Sequence, residues 1–426
     1  MSKKFKAMRG THDLLPEESW LWRRLETCFA DIAARYAYEE IRVPLFEATE
    51  LFERGTGFGS DVVQKEMYTF PDKKGRSLSL RPEGTPSVIR AYLEHGLSRR
   101  AGVTKLYYMG PMFRYDKPGA GRYRQFHQVG VEVIGTASPA ADAEVIVLLL
   151  DFLKSINLKD LSIRLNTLGC KECRERYSEV VRRFLEDRLD ELCEDCHDRF
   201  RRNPLRVLDC KNEACKRVIK EAPAVDTVLD DECIAHFSQV KHLLRLAGVD
   251  FYVDSRLVRG LDYYTRTVFE VFHAGAGEDS SLGGGGRYDE LVQELGGPST
   301  PAVGFSAGVE RIVLALEAEA LKSEGPRPVD VYVASISGES FDYAFDLANE
   351  LRTNFRVWLE FESRRPQKQL GAASKMGAVY TALVGEDEVR TGSVVFKHMG
   401  SGDQSEVKRD EAAAWLGGNL GGKARE

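Results

Sequence analysis

Lys105-Leu-Tyr-Tyr-Met-Gly-Pro-Met-Phe-Arg-Tyr115 and Tyr123-Arg-Gln-Phe-His-Gln-Val-Gly-Val-Glu-Val-Ile134 are two runs rich in aromatic and β-branched residues. Asp116-Lys-Pro-Gly-Ala-Gly-Arg122 lies between them. Runs of that composition on either side of a Gly/Pro loop predict an antiparallel hairpin. Period-2 alternation puts Phe126, Gln128 and Glu132 on one face of its second strand. A ring, an amide and a carboxylate together are unlike a core-facing surface. Arg114 and Arg122 flank the loop, where guanidinium forks suit a polyphosphate. A solvated hairpin with scattered charges is the plain alternative.

Other polar clusters surround this one in sequence. In Arg256-Leu-Val-Arg-Gly-Leu-Asp-Tyr-Tyr264, Arg259 stands beside a glycine just before an aromatic strand. Little would shield it from a ligand there, though it reads equally as a surface arginine. In Ser79-Leu-Arg-Pro-Glu-Gly-Thr-Pro86, Glu83 and Thr85 sit in a proline-bounded turn. They would clasp an ammonium group, or Thr85 would cap a helix whose first turn holds Pro86. Ser281-Leu-Gly-Gly-Gly-Gly-Arg-Tyr288 matches neither GxxxxGK[ST] nor GxGxxG. Its reading is a flexible turn, or backbone that approaches a ligand closely. In Ala302-Val-Gly-Phe-Ser-Ala-Gly-Val-Glu-Arg311 a short strand feeds a helix. An arginine in that helix's first turns opposes the dipole preference and makes sense if it reaches a phosphate.

The 426 residues carry 60 Lys+Arg against 66 Asp+Glu, a net charge of −6, with 43% hydrophobic and 30% charged residues. That composition excludes a disordered chain, and the length implies two or three domains. The longest aliphatic run, Val145 to Leu150, is far shorter than the roughly 20 residues of a membrane span. The N-terminus has no apolar signal region, so a cytoplasmic protein is expected. Mild net acidity argues against non-specific DNA coating but leaves room for a local basic stripe.

Residues 1–169 and 250–322 mix strand-like runs with glycine-rich turns. Residues 170–249 are highly charged and helix-like, as a helical insertion into a larger domain would be. Ser323-Glu-Gly-Pro-Arg-Pro328 reads as a linker. In residues 328–426, strand-like Val329–Ser335, Phe355–Phe361 and Val379–Val384 alternate with helical Phe341–Arg352 and Pro366–Met376. That rhythm predicts a small α/β domain with a mainly parallel sheet. The tail after Gly417 is expected to fray.

Taken in order, these motifs resemble the bacterial histidine–tRNA ligase (histidyl-tRNA synthetase) family of class II aminoacyl-tRNA synthetases, over nearly the whole chain. Arg9-Gly-Thr-His-Asp-Leu-Leu-Pro16 resembles its N-terminal signature, and Ile41-Arg-Val-Pro-Leu-Phe-Glu47 motif 1, with Pro44 as its proline. Phe113 through Gln128 resembles motif 2, Gly304 through Arg311 motif 3, and Leu257 through Tyr264 the histidine-specific signature.

The resemblance implies an α+β fold. An antiparallel class II catalytic sheet carries a helical insertion and is followed by a C-terminal α/β anticodon-binding domain. The chain would be a homodimer that joins L-histidine to histidine tRNA through an adenylate, using ATP and Mg²⁺. Arg114 would hold the α-phosphate, Arg122 and Arg311 the outer phosphates, and Phe126 would stack on adenine. Glu83, Thr85 and Gln128 would receive the α-ammonium group, and Glu132 and Tyr264 would read the imidazole nitrogens. Tyr263 and Tyr288 would line the pocket. Arg259 would bind near the carboxylate and α-phosphate, which makes it, with Arg114, a catalytic residue. The rival reading is a catalytically inactive, histidine-sensing regulatory subunit of ATP phosphoribosyltransferase. Such paralogues lack the anticodon-binding domain.

Two segments depart from the family pattern. Ser306, Ala307 and Val309 replace an alanine–methionine pair and a leucine in motif 3, which reads as a packing change. The motif 2 loop Lys117-Pro-Gly-Ala-Gly121 has small residues where relatives place polar ones that touch the tRNA acceptor end, so that contact stays open.

Seven of the eight cysteines fall between Cys170 and Cys233. Cys170-Lys-Glu-Cys173 and Cys193-Glu-Asp-Cys196 have the spacing of a paired-CxxC zinc site, with His197, Cys210 and Cys215 as further donors. Cys193 and Cys196 are expected in or at the end of a charged helix, so buried free thiols are the default and a structural zinc the alternative. His236 and His242 read as ordinary helix residues.

Overall fold

The computed structural model describes residues 5–57, 60–100, 102–274, 281–321, 325, 329–362 and 364–420. The chain divides into two compact units, residues 1–323 and 324–426.

In the first unit the expected hairpin forms. Strands Thr104–Phe113 and Gln125–Ile134 pair antiparallel, from Thr104 opposite Ile134 to Phe113 opposite Gln125. They belong to an eight-stranded sheet in the order Glu39–Glu40, Thr104–Phe113, Gln125–Ile134, Ala302–Gly308, Ser281–Arg287, Thr265–His273, Leu161–Thr167, Tyr252–Val253. The six inner strands are antiparallel neighbours, and the two short edge strands run parallel to theirs.

The glycine run is therefore not a flexible turn but a central strand, Ser281–Arg287. Its neighbours lie so close that a Cβ on Gly285 would overlap the Gly304 carbonyl oxygen. A Cβ on Gly284 would stand 2.8 Å from Arg259 Nη1. Glycine within a strand marks such close approach, here to a second strand and to Arg259.

Alternation then sorts the sheet's faces. Val129, Val131 and Val133 join Phe269, Val271, Val303 and Phe305 in one apolar layer. Helices Pro16–Arg35, Pro139–Ser155, Asp231–Leu246 and Val309–Ala318 supply the rest of that layer. The aliphatic run Val145–Leu150 lies inside Pro139–Ser155. That helix is apolar on most sides because neighbours cover it on most sides. Arg287, wholly buried at the end of the glycine strand, pins the helix's start. It pairs with Asp142 and donates to the carbonyls of Thr136 (2.8 Å) and Ser138 (3.1 Å). Those extra acceptors satisfy a buried charge that would otherwise cost several kcal/mol, in rough terms.

The opposite face bears a second core of Leu106, Tyr108, Met112, Tyr263, Tyr264 and Tyr288. It continues into Tyr177, Val181, Leu185, Cys196, Val207 and Cys215. The helical stretch after residue 170 thus shares one apolar core with the residues below the candidate site. Its last helix, Asp231–Leu246, packs on the first layer instead, through Phe237, Val240 and Leu244.

The second unit is a five-stranded sheet in the order Val357–Leu359, Val331–Ser335, Tyr380–Val384, Ser393–His398, Gln404–Lys408. The first three strands are parallel, and the last two add antiparallel. The sheet is therefore mixed where a mainly parallel one was expected, because a hairpin extends one edge. Helices Phe341–Leu351 and Pro366–Lys375 form where expected. The last helix, Ala412–Asn419, runs through Gly417 where fraying was expected; residues 421–426 lie outside the described residues. Of the expected linker, 323–328, only Gly325 is described.

Candidate active site

A cavity of about 930 Å³ opens on the second face of the large sheet. The hairpin contributes Arg114, Arg122, Phe126 and Gln128 to its wall, the 79–86 turn Glu83, and the loop before Thr265–His273 Arg259. The glycine strand contributes backbone, and the strand–helix junction Ser306 and Arg311. Thr85, Glu132, Tyr263, Tyr264 and Tyr288 lie in a buried layer beneath the wall.

Arginines line the cavity. Arg114 donates from Nε to the Pro82 carbonyl at 2.8 Å, and its guanidinium carbon lies 5.5 Å from the Phe126 ring centroid. Arg311, in the first turn of Val309–Ala318, donates to the Ser281 carbonyl at 2.7 Å. Arg122 lies 3.8 Å from Asp116, a loose pair. Arg259 pairs with Glu270, and its Nε is buried without a hydrogen-bond partner. Burial pulls the pKa of Arg311 down, and the neighbouring charges of Arg122 and Arg114 pull it further. An anion placed among these guanidiniums would relieve that repulsion.

Two buried carboxylates belong to the same site. Glu83 accepts from Thr56 Oγ1 at 2.7 Å and from the Tyr263 hydroxyl at 2.8 Å. Glu132 accepts from Thr85 Oγ1 at 2.7 Å and from the Tyr288 hydroxyl. Thr85 therefore does not cap the helix Thr85–Glu94; its hydroxyl is committed to Glu132. Burial pushes Glu132 up to about 8, against the bonds from Tyr288 and Thr85, and raises Glu83 as well. Gln128 donates to Ser306 Oγ at 3.4 Å, while its Oε1 is buried without a partner and can accept from a ligand. Ser306 is thus part of the site's polar wall rather than a packing change, because the strand puts its hydroxyl beside Gln128.

Sequence reading missed the third wall. Arg206, on the turn Pro204–Asp209, donates from Nη1 to the Arg259 carbonyl at 2.8 Å and lies 3.2 Å from Asp61. Arg199 reaches the same Asp61 oxygen at 2.7 Å, and Asn203 donates to Asp262 at 2.9 Å. Glu270 and Glu310 also line the cavity; Glu310 accepts from the His127 backbone N–H at 2.9 Å. No local pattern flags these residues, since each acts across a separation of more than ten residues.

The cysteines divide otherwise than their spacing suggests. Cys193, Cys196, Cys210 and Cys215 form one group, and Cys170, Cys173, Cys233 and Asp230 another. The two CxxC pairs thus do not share a site, because helix Lys171–Glu186 carries the chain away between them. Cys193 precedes the helix Glu194–Arg202 and Cys196 lies in its first turn, so the pair opens a charged helix where it was expected in or at the end of one. His236, in Asp231–Leu246, faces Asp142 at 3.8 Å.

Comparison with known proteins gives the family. A family model described as "Histidyl-tRNA synthetase" matches residues 10–312, and one described as "Anticodon binding domain" matches residues 330–419. The chain belongs to the histidyl-tRNA synthetase family. It is 46% identical to the histidine–tRNA ligase of Caldanaerobacter subterraneus over 95% of this chain and 98% of that one. With that of Desulforudis audaxviator it shares 48%, over 96% and 97%. The crystal structure of apo Staphylococcus aureus histidyl-tRNA synthetase superposes with a TM-score of 0.82 at 36% identity, covering 97% of this chain and all of that one.

Within this histidyl-tRNA synthetase fold the motif segments converge. The N-terminal signature lies on motif 2. The Gly10 carbonyl accepts from the Arg124 N–H at 2.6 Å, and the His12 ring lies 4.4 Å from Tyr123. Motif 2 and motif 3 meet as neighbouring strands, with Gly304 opposite Glu132 and Gly308 opposite Gln128.

Proposed function

We infer that the chain attaches L-histidine to its tRNA in two steps. Oxygen of the histidine carboxylate attacks the α-phosphorus of ATP, and pyrophosphate leaves with its bonding electrons. The adenylate then passes its acyl group to the terminal ribose of histidine tRNA, releasing AMP. The observation that carries this reading is one cavity lined by Arg114, Arg122, Arg259 and Arg311 together with the buried acceptors Glu83 and Gln128. A triphosphate suits the arginines and an ammonium-bearing amino acid the acceptors.

In this assignment Arg114 and Arg259 hold the reacting carboxylate and α-phosphate. Arg122 and Arg311 hold the outer phosphates, and Phe126 stacks on adenine. Fixed cations stabilise charge that grows on the phosphorus oxygens, so positioning and electrostatics carry the catalysis. Glu83, Thr85 and Gln128 receive the ammonium group. Glu132 and Tyr264 take the two ring nitrogens, with Tyr263 and Tyr288 closing the pocket. A side chain that cannot satisfy those buried groups loses roughly 10⁴-fold or more. The reaction uses ATP with a divalent metal. Mg²⁺ suits the hard carboxylate oxygens of Glu270 and Glu310, and would neutralise phosphate charge.

The C-terminal unit, matched by the anticodon-binding model, leaves the regulatory-subunit reading with less support. An apolar face of the small sheet Phe46–Ala48, Ser77–Leu80, Thr69–Pro71 exposes Phe46 and Phe70 beside motif 1, which supports a homodimer. Among the described residues no helix is long and apolar enough to cross a membrane. Acylation of histidine tRNA by the purified chain, with each of the twenty amino acids in turn, tests the function. Charging with histidine alone supports it, and histidine binding without charging overturns it.

A further inference from the structure

We propose that Cys193, Cys196, Cys210 and Cys215 bind a structural zinc ion that fixes the helical segment walling the active-site cavity. The four Sγ atoms lie within 4.8 Å of one another, and Cys193 and Cys210 are 3.8 Å apart at sulfur. Zinc–thiolate bonds of about 2.3 Å in a tetrahedron give sulfur–sulfur edges of about 3.8 Å. Disulfide sulfurs would stand about 2.05 Å apart, and all four cysteines are free.

The surroundings suit thiolate. The Cys193 N–H points at Cys215 Sγ (3.2 Å) and the Asn212 N–H at Cys210 Sγ (3.5 Å), so sulfur is the acceptor in both. Three of the four cysteines are buried in the second core. Four thiolates there would be untenable without a cation. The order Cys-x₂-Cys, thirteen residues, Cys-x₄-Cys is that of closed structural zinc sites. A tetrahedral S₄ set takes zinc or iron, and zinc ranks above iron(II) in affinity. The second group differs. There Cys170 and Cys173 donate to Asp230 at 3.3 and 3.1 Å, so those thiols are satisfied without an ion.

The residues between the two ligand pairs give the site its consequence. They include Arg199, Asn203 and Arg206, which reach Asp61, Asp262 and the Arg259 carbonyl. Closing the segment at both ends restricts the chain that carries these braces, and metal-binding energy becomes folding energy for it.

The test is metal analysis of the full-length chain, purified without chelator, reloaded with Zn²⁺ under reducing conditions and gel-filtered. Wild type is expected to retain one equivalent more zinc per chain than Cys210→Ser or Cys215→Ser, while Cys28→Ser matches wild type. Cobalt exchanged into the wild-type protein is expected to show the intense visible bands of tetrahedral thiolate coordination, a readout that does not require the variants to fold. Overturning results are a wild type without retained zinc, a wild type that holds iron instead, wild-type zinc content in both serine variants, or cobalt spectra of octahedral oxygen ligation.

Discussion

Arg206 donates its Nη1 hydrogen to the backbone carbonyl of Arg259 at 2.8 Å, so a residue of the helical stretch after residue 170 holds the loop that carries the arginine at the cavity wall. The two are 53 residues apart, and Arg206 is almost fully buried. Arg206 makes no contact with the reacting atoms in this assignment; it positions Arg259.

Truncation of Arg206 should therefore act through geometry. Arg206→Ala is expected to lower kcat/KM for histidine in pyrophosphate exchange by roughly 100-fold, the scale of a misplaced catalytic group. Arg206→Lys should restore part of it, because one ammonium can still reach the Arg259 carbonyl. Circular dichroism on both variants distinguishes this from unfolding. An unchanged KM and kcat in folded Arg206→Ala would remove the positioning role.

Glu132 gives a pH signature. Its pKa rises from the usual carboxyl range to about 8 in the folded chain, chiefly through burial. Between pH 4.5 and about 8 the native state then holds a proton that the unfolded state has released, so this group's stabilising contribution falls as pH rises through that window. Glu132→Gln cannot titrate. Its Tm is expected to decline less than wild type between pH 5 and 9, while its histidine KM rises at least 100-fold. Parallel Tm curves for the two proteins would contradict the assignment.

Tyr288→Phe removes the hydroxyl that donates to Glu132. Loss of a buried hydrogen bond to this group is expected to cost about 1–3 kcal/mol, read by urea denaturation. It should also move Glu132 higher still, since that bond favours the carboxylate. A stability change within error would mean the bond does not form in solution.

Gly304→Ala would overlap both the Glu132 carboxylate and the backbone carbonyl oxygen of Val131, at a strand position where the backbone itself is unstrained. The variant is expected to lose thermal stability as well as histidine binding, measured by melting beside calorimetry, because a strand carbonyl cannot swing away as a side chain can. Wild-type Tm and binding would show that the neighbouring strands part without cost.

These residues also show what a sequence can display. The hairpin was legible because composition and alternation are local, and Phe126, Gln128 and Glu132 do share a face. The glycine run misled because local rules see only backbone freedom. The reason for those glycines lies across the sheet, at Gly304 and Arg259. The cysteines misled similarly: the spacing joins Cys173 to Cys193, whereas the fold returns Cys210 and Cys215 to Cys193 and Cys196. Arg206 was silent because its partner lies in a distant loop. Ser306 looked like packing until the strand register set it against Gln128.

The most direct measurement is pyrophosphate exchange into ATP by the full-length chain, with each amino acid in turn, beside Arg259→Ala. Exchange with histidine alone, reduced by roughly 10³-fold in the folded variant, is the expected result. Exchange that persists in Arg259→Ala, or none from a folded wild type that still binds histidine, would contradict adenylate formation at this cavity.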